Sequence, residues 1–421
     1  MTPEQINIIK ATVPVIGEHG YTVTTVFYKN LLSAHPELNS VFNTTSQETG
    51  HQSKALSAAL YAYAANIDNL GALSAAVELI CNKHASLHIQ PDHYKIVGKY
   101  LIEAMQEVLG AAFTPDIQDS WAAAYWQLAE IMINREAALY KESTQWTSWR
   151  DFRISKKIPE SDEITSFYLE PVDGKPLPTY LPGQYISVQT FVPRLGYTQA
   201  RQYSLSDMPD PHYYRISVKR EVLDSKRPGT ETHPGYVSNV LHDLKAPGDI
   251  IQLSHPHGDF FLSNPQTSHP VVLIAAGVGL TPLISMLNSL ASNTSTTKRD
   301  IHFIHASRTT KARAFKESVQ KIARGNPKTK ATFFVERPEA GDRASVDYTH
   351  AGRVDLQRLR QQNDLFLDNP KTEYYICGPS PFMQAIQAGL LQFGVGSERI
   401  KMELFGAGGP PASEVTSQAR L

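Results

Sequence analysis

Cys81-Asn82-Lys83-His84-Ala85-Ser86-Leu87-His88-Ile89 is the stretch on which the reading of this chain turns. It lies inside a long helical pattern, and His84 has no zinc-type partner at a useful spacing. His88 follows at i+4, where two imidazoles can share a zinc ion, but no Glu or Cys nearby completes that site. Taken alone, a histidine on a helix is more often a satisfied core or surface residue. Haem iron, in contrast, needs a single protein ligand on its proximal side, and a neutral imidazole is the common choice.

The residues around His84 favour the second use. Tyr28, Phe42, Gln52 and Leu56 precede it in helical or corner contexts suited to the opposite wall of a flat pocket. Tyr94 follows in Pro91-Asp92-His93-Tyr94, and Glu136 in Ile133-Asn134-Arg135-Glu136. A ligating imidazole needs an acceptor behind it to fix its tautomer and raise its basicity. A Tyr–Glu pair in that place makes the imidazole strongly electron-donating, which suits oxygen activation better than reversible storage. Without His84, Tyr28 and Phe42 read as plain core aromatics.

Outward from this point, residues 1–147 read as helix. Apolar positions recur at helical spacing, as in Val97, Leu101, Met105, Val108 and Leu109. Ser33 to Pro36 and Leu87 to Asp92 mark helix ends, and Pro91-Asp92 is a helix start. Six to eight helices in roughly 145 residues match a globin-like bundle better than a four-helix bundle. The pattern changes sharply at Trp146–Phe152. Runs at 152–154, 164–169, 185–190 and 214–218 are strands punctuated by Gly, Pro and Asp, the pattern of an antiparallel barrel. After Pro270, apolar runs at 271–276, 301–305 and 372–377 alternate with helical segments, as in a buried parallel sheet. The fold class is therefore multidomain: an all-α region 1–147, an antiparallel β-barrel 148–264, an α/β parallel-sheet region 265–408 and a flexible tail 409–421.

Composition agrees with that division. A chain of 421 residues is too long for one ordinary core. Hydrophobic residues at 41% and charged residues at 19% are ordinary for a soluble globular chain. The net charge of −1 gives no basic field for nucleic acid. The first 147 residues carry 8 Lys+Arg against 14 Asp+Glu, and the rest 32 against 27, so the later part is the more electropositive. Two cysteines, Cys81 and Cys377, make no disulfide framework and point to a reducing compartment. No apolar run reaches the roughly 18 residues of a membrane span, and no leader segment is expected.

Each later region offers weak but ordered binding signals. In the β region, Tyr185 and the run Arg201-Gln202-Tyr203-Ser204 provide a ring face, a phosphate fork and a hydroxyl. Gly235-Tyr236-Val237-Ser238 opens a helix whose free amides could meet a pyrophosphate, so Gly235, Val237 and Ser238 join the flavin candidates. Gly277-Val278-Gly279-Leu280-Thr281-Pro282 follows a buried strand and opens a helix, a close-approach turn for a dinucleotide. Cys377-Gly378-Pro379 ends another strand on the same sheet edge. Glu403-Leu404-Phe405-Gly406 sits past the last strand, with Phe405 free to cover a flavin ring.

Taken together, the chain from residue 1 to about 408 resembles the flavohaemoglobin family: a globin, a ferredoxin-reductase-like FAD barrel and an NAD(P)H-binding α/β domain. The resemblance implies haem b, FAD and NADH or NADPH as cofactors. It implies His84 as proximal ligand, Tyr94 and Glu136 as its relay, and Tyr28 and Gln52 facing bound oxygen. Phe42 and Leu56 would wall the haem, and Lys83 and Glu403 would lie near the haem–flavin contact. Tyr185 and Arg201 to Ser204 would hold FAD, Phe405 would cover its ring, and Gly277 to Pro282 would take the nicotinamide nucleotide. The implied activity is nitric oxide dioxygenation, with electrons passing from NAD(P)H through FAD to haem. Two rivals are an oxygen or nitric oxide sensor with a resetting reductase, and a hydroperoxide or flavin reductase. The implied partners are small molecules, O2, nitric oxide and NAD(P)H, acting on a monomer.

The chain departs from the family at several points. It carries an insertion at Val222 to Pro234, and it has Leu404 and Phe405-Gly406-Ala407 where Cys and Phe-Gly-Pro are usual. Ser307-Arg308 could hold a 2′-phosphate, which keeps NADPH open. The tail ends in Ala419-Arg420-Leu421, which fits a peroxisomal address; the plainer expectation is a cytoplasmic protein.

Overall fold

The structure is a computed structural model that describes residues 1–143, 146–222, 235–263, 267–292 and 299–406. The insertion beyond Val222, Ala407 and the tail with Ala419-Arg420-Leu421 lie outside the described residues.

The first region is helical: α1 (Pro3–Ala34), α2 (Thr44–Glu48), α3 (His51–Ala65), α4 (Ser74–Ser86), α5 (Pro91–Leu109) and α6 (Pro115–Glu142). Local chemistry sets several ends. Thr2 and Gln5 form a capping box at the start of α1, each side chain bonding the other's backbone amide. Pro91 occupies the first turn of α5 with Asp92 beside it, as the sequence predicts. Helices α1, α3, α5 and α6 close around Ile16, Val23, Phe27, Leu31, Leu101, Met105 and Trp121, all buried.

Six strands follow: β1 (Arg150–Pro159), β2 (Ile164–Pro171), β3 (Tyr185–Val192), β4 (Tyr197–Ser204), β5 (Tyr214–Lys219) and β6 (Ile250–Leu253), with the short helix α7 (Tyr236–Asn239) before the last. They form an antiparallel sheet in the order β4-β3-β6-β1-β2-β5. A bridge between Leu205 and Ile216 joins the two outer strands, which closes the sheet into a barrel. Trp146 stacks on Phe152 at 5.5 Å within the barrel core. Strand β3 lacks the expected in–out alternation, because Ser187 and Thr190, as well as its apolar residues, are buried. One of its polar partners lies in the helical region, as shown below.

The last region alternates β7 (Val271–Ala276), α8 (Leu280–Ser292), β8 (Ile301–Ser307), α9 (Lys316–Gly325), β9 (Thr329–Val335), β10 (His350–Ala351), α10 (Leu356–Gln361), β11 (Glu373–Cys377), α11 (Ser380–Gln392) and β12 (Ile400–Glu403). The sheet is parallel, in the order β10-β9-β8-β7-β11-β12. Leu273 and Ala275 face the core formed with α8, while Val272 and Ile274 face the core under α11. Both faces being covered, β7 reads as a continuous apolar run rather than an alternating one. One boundary is corrected: Glu403 is the last residue of β12, not a residue beyond it. Strands β9, β10 and β12 carry charged or short segments that the apolar-run pattern did not reveal.

Candidate functional site

His84 sits in the last turn of α4. Its Nδ1 lies 2.8 Å from Glu136 Oε1 on α6 and 3.0 Å from the Tyr94 hydroxyl on α5. Tyr94 donates to the same carboxylate oxygen at 2.6 Å. Three helices thus converge on one acceptor: Glu136 is 2% exposed, and Tyr94 is 7% exposed. Burial and the Glu136 charge together hold the Tyr94 phenol far above its ordinary range, so it remains a donor. With Nδ1 facing a carboxylate, the neutral imidazole keeps its proton there. Among the described residues no hydrogen bond is made by Nε2, which leaves its lone pair for a metal. That donor set fits an axial haem ligand.

A glycine the sequence reading missed shapes this corner. A Cβ on Gly98 would collide with the Tyr125 ring, and Tyr125 donates its hydroxyl to the Tyr94 carbonyl at 2.5 Å. Gly98 thereby lets Tyr125 brace the helix that carries Tyr94.

On α1, the Tyr28 ring packs edge-on against Phe42, with centroids 5.5 Å apart. Its hydroxyl bonds the Gln52 side chain on α3, and burial pushes the phenol well above the usual tyrosine range. Phe42 and Leu56 pack against the same buried cluster. Of the residues singled out for the wall opposite His84, Tyr28, Gln52 and Phe42 are therefore in contact.

The helical region docks onto the barrel through some residues that the sequence did not single out, among them Asn82, Ser187 and Gln199, and through others that it did. Asn82 Oδ1 accepts from Gly258 N at 3.0 Å, and the Ser187 hydroxyl meets Ser86 at 2.9 Å. Gln202 donates to Ser187 at 3.1 Å. Gln199 accepts from Thr44 N and donates to the Phe42 carbonyl, both at 3.1 Å. Arg201 bonds Gln199 at 3.0 Å and the Ala200 carbonyl at 2.7 Å, and reaches Thr45 at 3.5 Å. Lys83, beside His84, donates to the Gly406 carbonyl at 3.0 Å, tying α4 to the segment after β12. Desolvation raises the Glu403 carboxyl to about 8, with Asp259 adding to the shift and Lys83 opposing it. Desolvation lowers the Lys83 ammonium while Glu403 opposes the shift. Lys83 and Glu403 are thus close enough to influence each other's charge, and Phe405, two residues after Glu403, is 42% exposed.

On the barrel, Tyr185 pairs with Ser204 across β3 and β4, Tyr203 packs against the barrel core, and Val237 is buried in it. The ring of Tyr185 lies over Gly258, and burial lifts its phenol far above the ordinary range. Gly235 N donates to the Glu221 carbonyl at 3.0 Å, and Glu221 N donates to Ser238 at 3.3 Å.

The sheet edge brings the two glycine turns into contact. Gly277 has φ +56°, a conformation that favours glycine. A Cβ on Gly279 would strike the Cys377 carbonyl and Gly378 N. Val278 accepts from the Thr281 hydroxyl at 3.1 Å, and Leu280 and Pro282 are buried at the start of α8. Cys377 is wholly buried and acts here as a small core residue, with Pro379 leading into α11. His305, unnoticed in the sequence, lies 3.1 Å from the Gly277 carbonyl through Nε2, and burial lowers its pKa to about 4. It is therefore neutral near pH 7 and can donate to that loop. Close backbone approach at the carboxyl edge of a parallel sheet is the geometry of a dinucleotide site.

Comparison with known proteins agrees with this architecture. A globin family model matches residues 25–132, and an oxidoreductase NAD-binding domain model matches residues 273–388. The chain is 46% identical to a flavohemoprotein of Bordetella pertussis, covering 97% of this chain and 99% of the relative. It is 43% identical to the flavohemoprotein of Bacillus subtilis, covering 95% and 96%. The structure of a Malassezia yamatoensis flavohemoglobin with bound FAD and heme superposes with a TM-score of 0.81 at 29% identity, over 96% of this chain and 99% of that one. The FAD/NAD-binding domain of a Vibrio cholerae nitric oxide dioxygenase matches 61% of this chain and 98% of its own, with a TM-score of 0.52 and 33% identity.

Proposed function

This chain belongs to the flavohaemoprotein family, and on that premise we propose that it is an NAD(P)H-dependent nitric oxide dioxygenase. Its parts are a globin at 1–147, an FAD barrel at 148–264, a nucleotide domain at 265–408 and a tail at 409–421. Haem and FAD, when bound, supply the oxygen-binding and electron-carrying chemistry by which nitric oxide and O2 become nitrate at the expense of NAD(P)H.

The observation that carries this reading is the His84–Glu136–Tyr94 triad, in which the carboxylate and the phenol behind the imidazole are buried. A storage globin needs an imidazole; it does not need a buried carboxylate on that imidazole's back. Glu136 pulls on the Nδ1 proton and gives Nε2 imidazolate character, which supports oxygen activation. Tyr94 shares the carboxylate and keeps it from swinging away. On the opposite wall, Tyr28 is a neutral hydroxyl bonded to Gln52, and it would be the group there to hydrogen-bond an oxygen ligand. Phe42 packs against the Tyr28 ring and fixes its orientation. Lys83 and Glu403 belong to the junction between the haem and flavin sites. Gly277 to Pro282 and Cys377 to Pro379 receive the nucleotide, and Tyr185, Arg201 to Ser204, Gly235 to Ser238 and Phe405 serve the flavin.

The test is the absorption spectrum of the purified protein before and after NADH under carbon monoxide, followed by nitric oxide consumption. A Soret band with a flavin shoulder that shifts to the ferrous–CO form, and nitric oxide loss coupled to NADH oxidation, is expected. Haem that NADH cannot reduce, or reduction without nitric oxide consumption, would sink the reading.

A further inference from the structure

At the end of β8 the chain runs Ser307-Arg308-Thr309-Thr310-Lys311, beside the Gly277 turn of the neighbouring strand. In a parallel sheet this is where the adenosine half of a dinucleotide lies. A hydroxyl next to a planar guanidinium is a good receiver for a phosphate monoester. In this structure that receiver is already engaged. Arg308 Nη2 forms an ion pair with Glu163 Oε1, a residue of the turn between β1 and β2 of the barrel. Backbone bonds hold the turn that carries this carboxylate. Arg220 N donates to the Glu163 carbonyl at 2.8 Å, and Asp162 N donates to the Lys311 carbonyl at 3.2 Å. Ser307 Oγ is also turned inward, donating to the Thr309 carbonyl at 2.9 Å.

We propose that Glu163 is a built-in stand-in for a ribose 2′-phosphate, and that its pairing with Arg308 selects NADH over NADPH. The inference rests on the nucleotide-site reading above and deepens it. A dianionic 2′-phosphate arriving at this loop meets a carboxylate and must break an existing ion pair before Arg308 can turn to it. The 2′-hydroxyl of NADH carries no charge and leaves the pair intact. Discrimination of this kind comes from a repulsive element placed against the wrong ligand. The residue that supplies it belongs to the flavin barrel rather than the nucleotide domain, so an inspection confined to the loop after β8 would assign the opposite preference.

The experiment measures binding of 2′,5′-ADP and 5′-AMP to the haem- and FAD-loaded protein by calorimetry. The two probes differ only in the 2′-phosphate. Wild-type protein is expected to bind 2′,5′-ADP no more tightly than 5′-AMP. Glu163→Gln should tighten 2′,5′-ADP roughly tenfold and leave 5′-AMP within about twofold; the gain should vanish in Glu163→Gln/Arg308→Ala. A wild-type preference for 2′,5′-ADP overturns the proposal without any variant. So does an unchanged affinity in Glu163→Gln, or a gain that persists when Arg308 is removed, which would reflect net charge alone. If 5′-AMP and NADH both fail to bind, the proposal falls together with the nucleotide-site reading. If they bind and only the 2′-phosphate response is absent, that reading stands and this inference alone is lost.

Discussion

The wall behind His84 and the wall that carries Tyr28 are built from opposite chemistry. Behind His84, three helices deliver an imidazole, a phenol and a carboxylate to within 3.0 Å of one another, with the phenol and the carboxylate buried. Around Tyr28 the groups are neutral: a phenol, an amide and the face of Phe42. A buried carboxylate is tolerated only where partners satisfy it, and here the partners are the functional groups themselves. The contrast teaches a division of labour on the proposed reading: the first wall would send electron density toward a metal ligated by His84, and the second would stabilise a ligand opposite it by hydrogen bonding. Replacing groups on either wall should therefore damage different steps.

The largest effect is expected from His84→Ala, which removes the only axial donor proposed. The purified variant should lack a Soret band and keep its flavin spectrum; retained haem would break the assignment. Glu136→Gln comes next. It keeps the shape but removes the charge behind the imidazole, and should cost on the order of 10–100-fold in turnover or haem retention. Full activity in that variant would mean that the carboxylate is only structural. Tyr28→Phe should be milder: losing one neutral hydrogen bond of about 1 kcal/mol speeds oxygen release roughly fivefold. An unchanged off-rate by stopped flow would remove Tyr28 from its role and blur the contrast between the walls.

The smallest effect concerns the seam beside them. His88, four residues beyond His84, has φ +56° and both ring nitrogens buried without a hydrogen-bond partner among the described residues. Burial, reinforced by the nearby His255, lowers its pKa to about 4. Burial also lowers His257 to about 3, with His255 and His88 adding to the shift. Both folded values lie below the unfolded value of about 6.5. Their neutral forms therefore contribute stability that is complete above that value and is lost as pH falls toward 4. Asn tolerates a positive φ and does not titrate. His88→Asn should lose less melting temperature than wild type between pH 7.5 and 5, by roughly 2–4 °C if about 1 kcal/mol of the acid loss resides there. Identical pH profiles would show that the seam titrates elsewhere.

Much of this architecture was legible from residue type and spacing. Helical periodicity, Pro91-Asp92, the strand runs and the glycine turn after a buried strand each depend on local conformation, so neighbours in sequence reveal them. The misses share a cause. Strand β12 is short and carries Lys401 and Glu403, so Glu403 read as lying beyond a strand it in fact ends. Gly98 looks like an ordinary helical glycine until Tyr125, from another helix, is placed against it. Gln199 and Asn82 carry no recognisable pattern, and their use becomes visible only across the seam they bridge. Arg201 was singled out as a fork for a flavin phosphate, but its bonds to Gln199, Ala200 and Thr45 became visible only in the folded chain.

By itself, the sequence determined which side chains are available for chemistry and which local conformations carry them. His84, Tyr94 and Glu136 could be chosen from their order along one helical region and from the family that order resembles, not from any one of them alone. Tertiary structure alone decided their convergence on one carboxylate oxygen, the pairing of Arg308 with a carboxylate from another region, and the docking of α4 on β3. The physical reason is range. Backbone propensities act over a few residues, whereas hydrogen bonds and ion pairs act over a few ångströms between residues that the chain separates by 52 positions for His84–Glu136 and 145 for Glu163–Arg308.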